Sequence, residues 1–361
     1  MSEHLLEVKD LKVSFDTYAG EVQAVRGVSF HLDKNETLAI VGESGCGKSV
    51  TVQTLMRLNP EPPSRIKQGS ILYKGEELVG KTDKQMRDYR GKEFAMVFQD
   101  AMTSLNPVSR VGSQIVEAIR VHERDVSRED AKKRAIEMLG KVGLPNPEQV
   151  FRRYPHTMSG GQRQRAMIAM ALACNPSVLI ADEPTTALDV TTQAQILDLM
   201  KDIQAETGCG IILITHNLGV VARMADRVAV MYAGKIVEEG QLDDVFYRPK
   251  HPYTWGLLES MPDLRDRSAD RLASIPGAPP DLFAPPTGCG FMARCPYCME
   301  VCTKHDPART CVAGDHATRC WLQDERAPKV EPPMGDEKFL RASDASSPNA
   351  ATVTEGGEAD V

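Results

Sequence analysis

No stretch of this chain approaches the ~20 consecutive apolar residues that a membrane-spanning helix needs. The longest apolar run, Ala166 to Cys174, is closed by Arg165 and Asn175. The chain is therefore not expected to cross a bilayer by itself. The start, Met1 to Asp10, lacks the apolar core of a secretory leader. An excess of positive charge is also missing. Lys and Arg number 43 against 50 Asp and Glu, a formal charge of −7, so nothing overall points to nucleic acid. Cysteine is sparse through the first two thirds, where Cys46, Cys174 and Cys209 stand apart. What remains is ordinary: 42% hydrophobic and 26% charged residues describe a soluble globular protein. A length of 361 residues exceeds what one core usually supports and suggests two or perhaps three domains.

The most informative stretch is Gly42-Glu43-Ser44-Gly45-Cys46-Gly47-Lys48-Ser49, a G-x-x-x-x-G-K-[ST] phosphate-binding loop. Its glycines let successive N–H groups converge on a phosphate. Lys48 adds a point charge near the β/γ phosphates, and the Ser49 hydroxyl can ligate Mg²⁺. Thr37 to Val41 before it reads as a buried strand. A helix from about Ser49, continuing through Val50 to Arg57, aims its positive end at the same anion.

Around this loop the chain alternates between strand and helix signals. Leu6 to Phe15 and Val22 to Leu32 read as strands turned at Gly20, and imply a small antiparallel sheet beside the nucleotide core. Phe15 and Tyr18 are both candidates to stack on a base. Pro60-Glu61-Pro62-Pro63 breaks the chain before strand character resumes at Ser70 to Tyr73 and at Glu77-Leu78. Phe94 to Phe98 is an apolar run that ends at Gln99. From Gly112 to Pro155 the period is helical. Ile115, Val116 and Ile119 share one face, and Ala131, Ala135, Met138 and Leu139 follow Ser127 at helical spacing. Their stripe is expected to form a small core of its own. Ser159 caps a helix that opens with Gly160-Gly161-Gln162, and two glycines there, at about 1 kcal/mol each, suit a close approach to an anion.

Val178 to Ala181 is a further buried strand, followed at once by Asp182-Glu183. If strand geometry continues, these carboxylates face opposite ways, one toward a Mg²⁺ shell and the other toward a water. Ala187-Leu188-Asp189 leads into a helix from about Thr191 to Glu206. Gly210 to Thr215 is a strand ending at His216, and Asn217 can cap the next helix. Four predicted core strands therefore end in Gly42, Gln99, Asp182-Glu183 and His216, at the end where open α/β sheets bind ligands. A hairpin about Ala233-Gly234 follows. From about Arg248 the chain becomes proline-rich, and Cys289, Cys295, Cys298, Cys302, Cys311 and Cys320 crowd one segment. In a cytosolic setting that crowd reads as a metal site before a disulfide framework. Asp344 to Val361 is small, polar and acidic, and reads as disordered.

In order, the phosphate loop, Gln99, Ser159-Gly160-Gly161-Gln162, Asp182-Glu183 with Asp189, and His216 resemble the five motifs of the ATP-binding cassette (ABC) ATPases. The resemblance covers about Leu6 to Gly240. Met102-Thr103-Ser104-Leu105-Asn106-Pro107, Tyr154-Pro155-His156, Ile180 to Val190, His251-Pro252-Tyr253-Thr254, Ile275-Pro276-Gly277, Gly288-Cys289 and Arg294-Cys295-Pro296 resemble the oligopeptide/dipeptide/nickel importer branch. This resemblance implies a phosphate-loop, RecA-like α/β core with an antiparallel β subdomain, a helical signature subdomain and a loop-rich, cysteine-containing extension. The nucleotide-binding domain would span 1–247, with its helical part at about 100–175, the extension 248–325 and a disordered tail 326–361.

The family implies a sandwich of two ATPase subunits. Lys48 and the loop residues Gly42, Ser44, Gly45, Cys46 and Gly47 would hold the phosphates. Ser49 and Asp182, with Gln99, would organise Mg²⁺. Glu183 would polarise the attacking water and His216 contact the γ-phosphate, while Ser159, Gly160, Gly161 and Gln162 reach the partner's nucleotide. Gln99 would couple ATP occupancy to a membrane partner.

Expected partners are two integral permeases, a similar second ATPase subunit and an extracytoplasmic solute-binding protein, at the cytoplasmic face of the inner membrane. The expected activity is ATP hydrolysis powering peptide import. The alternatives are nickel or another small solute, a soluble ABC ATPase acting on nucleic acid or ribosomes, and a metal-cluster sensor. The branch's cysteine pattern implies a [4Fe–4S] cluster on Cys289, Cys295, Cys302 and Cys320, with zinc as the alternative because Cys295 to Cys298 is a C-x-x-C pair. Four residues depart from the pattern. Asn217 stands where Asp is usual, Cys46 replaces a commoner small residue and should point away from the phosphates, and Cys298 and Cys311 have no counterpart.

Overall fold

Apolar residues alternating with polar ones form half-buried strands, and the chain opens with two strands whose ladder is interrupted by irregularities in register. β1 (Leu6–Thr17) and β2 (Gly20–Leu32) pair antiparallel about the Tyr18-Ala19 turn. β3 (Thr37–Val41) leaves this sheet, and β4 (Ser64–Tyr73) and β5 (Glu76–Glu77) return to complete a four-stranded sheet in the order β2-β1-β4-β5. β4 starts earlier than expected. Ser64 to Gln68 is too polar to announce a strand, and pairing with β1 imposes it. The computed structural model describes residues 4–99, 104–185, 188–261 and 274–333. Met102-Thr103, Ala187 and the acidic tail from Asp344 lie outside them.

Apolar runs with no polar alternation must be covered on both faces. β3, β6 (Phe94–Val97), β7 (Val178–Asp182), β8 (Gly210–Thr215) and β9 (Arg227–Tyr232) are buried along their whole length. They are parallel, and β10 (Lys235–Gln241), β11 (Thr310–Ala313) and β12 (His316–Thr318) add antiparallel pairs. The result is an eight-stranded sheet in the order β11-β12-β10-β9-β3-β8-β7-β6. β11 and β12 are short and carry no apolar period, so the sequence alone does not reveal them. Pairing of Glu238 with Thr318 and Glu239 with Ala317 makes the cysteine-rich segment part of the main sheet.

The helices are α1 (Lys48–Leu55), α2 (Asp83–Met86), α3 (Val111–His122), α4 (Arg128–Lys141), α5 (Pro147–Arg152), α6 (Gly160–Leu172), α7 (Val190–Thr207), α8 (Leu218–Met224), α9 (Leu242–Tyr247), α10 (Pro252–Glu259) and α11 (Glu300–Lys304). α1 stops short of Arg57, whose φ is 49°. The stripe of Ile115, Ile119, Ala131, Ala135, Met138 and Leu139 does not form a separate core. It is continuous with Ala95, Val97, Leu179 and Leu213 of the sheet. α6 joins the two, because Ala166, Met167, Ile168 and Ala169 are all buried and leave that turn no solvent-facing side. On β3, Leu38 and Ile40 face the antiparallel sheet, whereas Ala39 and Val41 face a third cluster. That cluster contains Tyr253, Leu258 and Phe291, so the extension packs directly behind the phosphate-loop strand.

Candidate active site

The loop after β3 is tight because the neighbouring backbone leaves no room for side chains. A Cβ on Gly42 (φ +151°) would lie 2.1 Å from the Met231 carbonyl oxygen, and one on Gly47 (φ +104°) 2.4 Å from that of Ala24. Gly47 is the N-cap of α1, so the helix begins as the loop ends. Cys46 is buried in the core under the loop, which explains why a thiol is tolerated. Burial pushes its pKa up, against the opposing charge of Lys48. Lys48 Nζ donates to the Gly42 carbonyl at 2.7 Å and the Glu43 carbonyl at 2.8 Å. Ser44 and Gly45 are exposed at the loop's tip.

β8, β7 and β6 lie successively beside β3, so parallel pairing delivers their C-terminal ends to one edge. Ser49 Oγ donates to Asp182 Oδ1 at 3.2 Å. Gln99 Nε2 donates to Glu183 Oε2 at 2.8 Å, and His216 Nδ1 lies 3.0 Å from Glu183 Oε1. The carboxylates diverge, although strand geometry does not simply continue. Glu183 has φ +48°, a region costly for a side-chain-bearing residue, and its N–H still bonds the Ile214 carbonyl at 2.9 Å. This break turns Glu183 toward Gln99 and His216 and leaves Asp182 facing Ser49. Burial and the neighbouring Glu183 charge raise the Asp182 pKa, partly offset by the Ser49 hydroxyl and Lys48.

Ser159 caps α6 by accepting from Gln162 N–H, and the Gln162 side chain returns the bond to Ser159 N–H. The signature is thus also a capping box, a signal present in its S-x-x-Q spacing. Ser159 and Gly160 are exposed, and a Cβ on Gly160 would meet nothing within 4 Å. A Cβ on Gly161 would lie 2.9 Å from Thr192 Cγ2. Asp189 caps α7 through Thr192 N–H, and Asn217 caps α8 through Gly219 N–H. Phe15 is half-buried against the cluster that contains Cys46 and is also packed by Val50, whereas Tyr18 is fully exposed at its turn.

Residues that the sequence reading left without a role also reach this loop. Glu43 N–H donates to Tyr253 Oη at 2.8 Å, and Arg294 makes a two-pronged ion pair with the Glu43 carboxylate at 2.7 and 2.9 Å. Gln164 donates to the Pro184 carbonyl at 2.5 Å and so ties α6 to the segment after Glu183. The motifs His251-Pro252-Tyr253 and Arg294-Cys295 were the available signals.

Cys289, Cys295, Cys302 and Cys320 line one apolar cavity with His251, Phe291, Tyr297 and Trp321. Burial, with some repulsion from their neighbours, raises the Cys289 and Cys295 thiols to about 11 and Cys320 to about 12. Cys298 and Cys311 are exposed and outside the cavity lining, and Cys311 donates to the Gly314 carbonyl at 3.0 Å.

A model of the ABC transporter family matches residues 25–186, and a model of the oligopeptide/dipeptide transporter C-terminal region matches residues 237–302. The chain is 59% identical over 337 residues to the oligopeptide transport ATP-binding protein OppD of Bacillus subtilis (strain 168), covering 93% of this chain and 94% of that one. It is 53% identical over 330 residues to the dipeptide transport ATP-binding protein DppD of Lactococcus lactis subsp. cremoris (strain MG1363), covering 91% and 94%. Among solved structures, the dimeric bacterial ABC transporter cassette MJ0796 superposes with a TM-score of 0.59 at 26% identity, covering 66% of this chain and 98% of that one. The same cassette bound to ADP and Pi in a post-hydrolysis state gives the same values. With its nucleotide motifs gathered at one sheet edge and its C-terminal region matched as well, this chain belongs to the ABC transporter ATPases, in the oligopeptide/dipeptide branch.

Proposed function

We propose that this chain is the ATP-hydrolysing subunit that powers peptide import through partner membrane permeases. The observation that carries this reading is the meeting of Gln99, Glu183 and His216 beside the Ser49–Asp182 pair, at the mouth of the phosphate loop. Lys48 and the loop N–H groups bind phosphates. The Ser49 hydroxyl, Asp182 carboxylate and Gln99 amide oxygen are the hard donors that Mg²⁺ prefers, and a cation there would oppose the upward push that burial gives the Asp182 pKa. Glu183 is oriented from two sides, by Gln99 and His216, and accepts the proton-bearing side of the attacking water. Catalysis then rests on positioning and charge, as phosphoryl transfer allows. Phe15 supplies the base-stacking surface, because it is partly buried against the cluster under the loop whereas Tyr18 is fully exposed at its turn.

The finer assembly follows from the branch. It comprises two integral permeases, a similar second ATPase subunit that makes a heterodimer, and an extracytoplasmic solute-binding protein, with this chain peripheral at the cytoplasmic face of the inner membrane. Among the described residues no helix is long and apolar enough to cross a membrane. The cassette occupies residues 1–247, with its helical part near 100–175, and the extension 248–325. Uptake of labelled di- and oligopeptides by the reconstituted transporter tests the substrate class, and uptake of nickel but no peptide would overturn it.

Ser159, Gly160, Gly161 and Gln162 serve the nucleotide held by the partner subunit, because Ser159 and Gly160 lie exposed where α6 begins. A Ser159→Ala protein is expected to lose most hydrolysis in the assembled transporter while the isolated subunit binds ATP normally. Loss of the cap costs about 1 kcal/mol of helix stability, so a melting curve accompanies the assay. Loss of ATP affinity in the isolated subunit would contradict a shared site.

Cys289, Cys295, Cys302 and Cys320 hold a [4Fe–4S] cluster. The donor set fits: four soft sulfurs line one cavity, yet among the described residues no three of them lie mutually within 4.8 Å. Tetrahedral zinc needs sulfurs about 3.8 Å apart, from its Zn–S bonds of about 2.3 Å, so the wider set suits a larger centre. Bound there, the cluster supplies iron–thiolate bonds that staple a core-poor segment. Iron and acid-labile sulfide are expected in stoichiometric amounts in protein purified without oxygen, unchanged in Cys298→Ser. Stoichiometric zinc without sulfide would refute the cluster.

A further inference from the structure

Arg294 stands beside Cys295 in sequence, yet its side chain ends in the phosphate loop. Its guanidinium is almost wholly buried, with the side chain 5% exposed. Every donor is engaged: Nε on the Pro276 carbonyl (2.9 Å), Nη1 on Glu43 Oε2 (2.7 Å) and Tyr232 Oη (3.2 Å), Nη2 on Glu43 Oε1 (2.9 Å) and the Ile275 carbonyl (3.0 Å). Glu43 is held at three points. Arg294 grips its carboxylate, Tyr253 Oη accepts from its N–H at 2.8 Å, and its carbonyl accepts from Lys48 Nζ at 2.8 Å. Two of these three holds come from the extension, and the third is the lysine that meets phosphate. Tyr253 packs on Phe291, two residues beyond Cys289, with ring centroids 5.4 Å apart.

We propose that the cysteine site and the phosphate loop are coupled through Arg294, a positioning residue that fixes Glu43 only while its own loop is held at Cys295. This rests on the reading that the thiols carry a metal centre. The segment around Arg294 has few core residues of its own, so a filled thiol site is what keeps the guanidinium in place. Emptying the site releases Arg294, slackens Glu43, and leaves the loop and Lys48 less ready for nucleotide. Coupling of this kind is reciprocal, so nucleotide must in turn protect the metal.

The test uses the full chain purified without oxygen, either loaded or stripped with an iron chelator, with metal content measured in every sample. Calorimetric titration with a non-hydrolysable ATP analogue and Mg²⁺ is expected to show affinity falling about fivefold or more on stripping. Arg294→Lys keeps the charge but loses the planar fork, and Glu43→Gln keeps the shape but loses the charge. Both loaded variants are expected to bind as weakly as the stripped parent and to fall no further on stripping. The analogue is expected to slow iron loss to the chelator in the parent and not in Arg294→Lys. Equal affinity of loaded and stripped parent overturns the coupling, and so does an undiminished fall in both variants. A parent that never holds metal fails both this proposal and the cluster reading, whereas a parent that holds iron with no effect on nucleotide fails this proposal alone.

Discussion

A Glu183→Gln protein is expected to bind ATP as the parent does and to hydrolyse it about 10²–10⁴-fold more slowly, the range for losing a positioned general base. The amide preserves size and can still bond Gln99 and His216, which contact the two oxygens of Glu183 at 2.8 and 3.0 Å. What it cannot do is take proton density from water. Because Asp182 and Ser49 form a separate pair, metal and phosphate binding should survive. Nucleotide should then accumulate unhydrolysed and hold two ATPase subunits together, visible as a dimer by size exclusion with ATP. Turnover near that of the parent in the reconstituted transporter would remove Glu183 from its role.

Lys48→Ala is expected to act one step earlier, on binding. Charge-assisted hydrogen bonds contribute about 1.5–3 kcal/mol, so loss of the ammonium should weaken ATP by about 10–100-fold. Lys48 is 7% exposed, and its ammonium already sits between the Gly42 and Glu43 carbonyls. Removing it therefore also takes this donor from the Gly42 carbonyl and leaves the Glu43 carbonyl with the longer bond from Cys46 N–H at 3.4 Å. Lys48→Arg is no rescue in so closed a slot, since a planar fork is wider than an ammonium. Equilibrium binding of a fluorescent ATP analogue measures the effect, and an unchanged dissociation constant in a normally melting protein refutes the phosphate-loop assignment.

The parts of this site legible in the sequence are those where backbone physics restricts residue choice. Gly42 and Gly47 face carbonyl oxygens at distances no Cβ tolerates, and β3, β6, β7 and β8 read as strands because both faces are dry. The polar residues at their ends then mark the ligand edge. Features set by tertiary pairing are less legible. The polar beginning of β4 is a strand because β1 lies beside it, and β12 because β10 does. α10 hides in a proline-rich stretch, where Pro252 reads as a breaker although it occupies the first helical turn, a place that suits it. The Arg294–Glu43 pair joins residues 251 positions apart, and no local pattern announces it.

β10 is complete in the chain long before its outer neighbour exists, since Glu238 and its partner His316 are 78 residues apart. Until then the strand offers unpaired N–H and carbonyl groups, the template on which a second copy can add. Afterwards Arg319 N–H and the Thr318 hydroxyl both bond the Val237 carbonyl, at 2.8 and 3.0 Å. The new outermost strand, β11, is short and mostly exposed. The hairpin at the end of the cysteine-rich segment is thus a lid on a sticky edge, and in the order of synthesis it closes last.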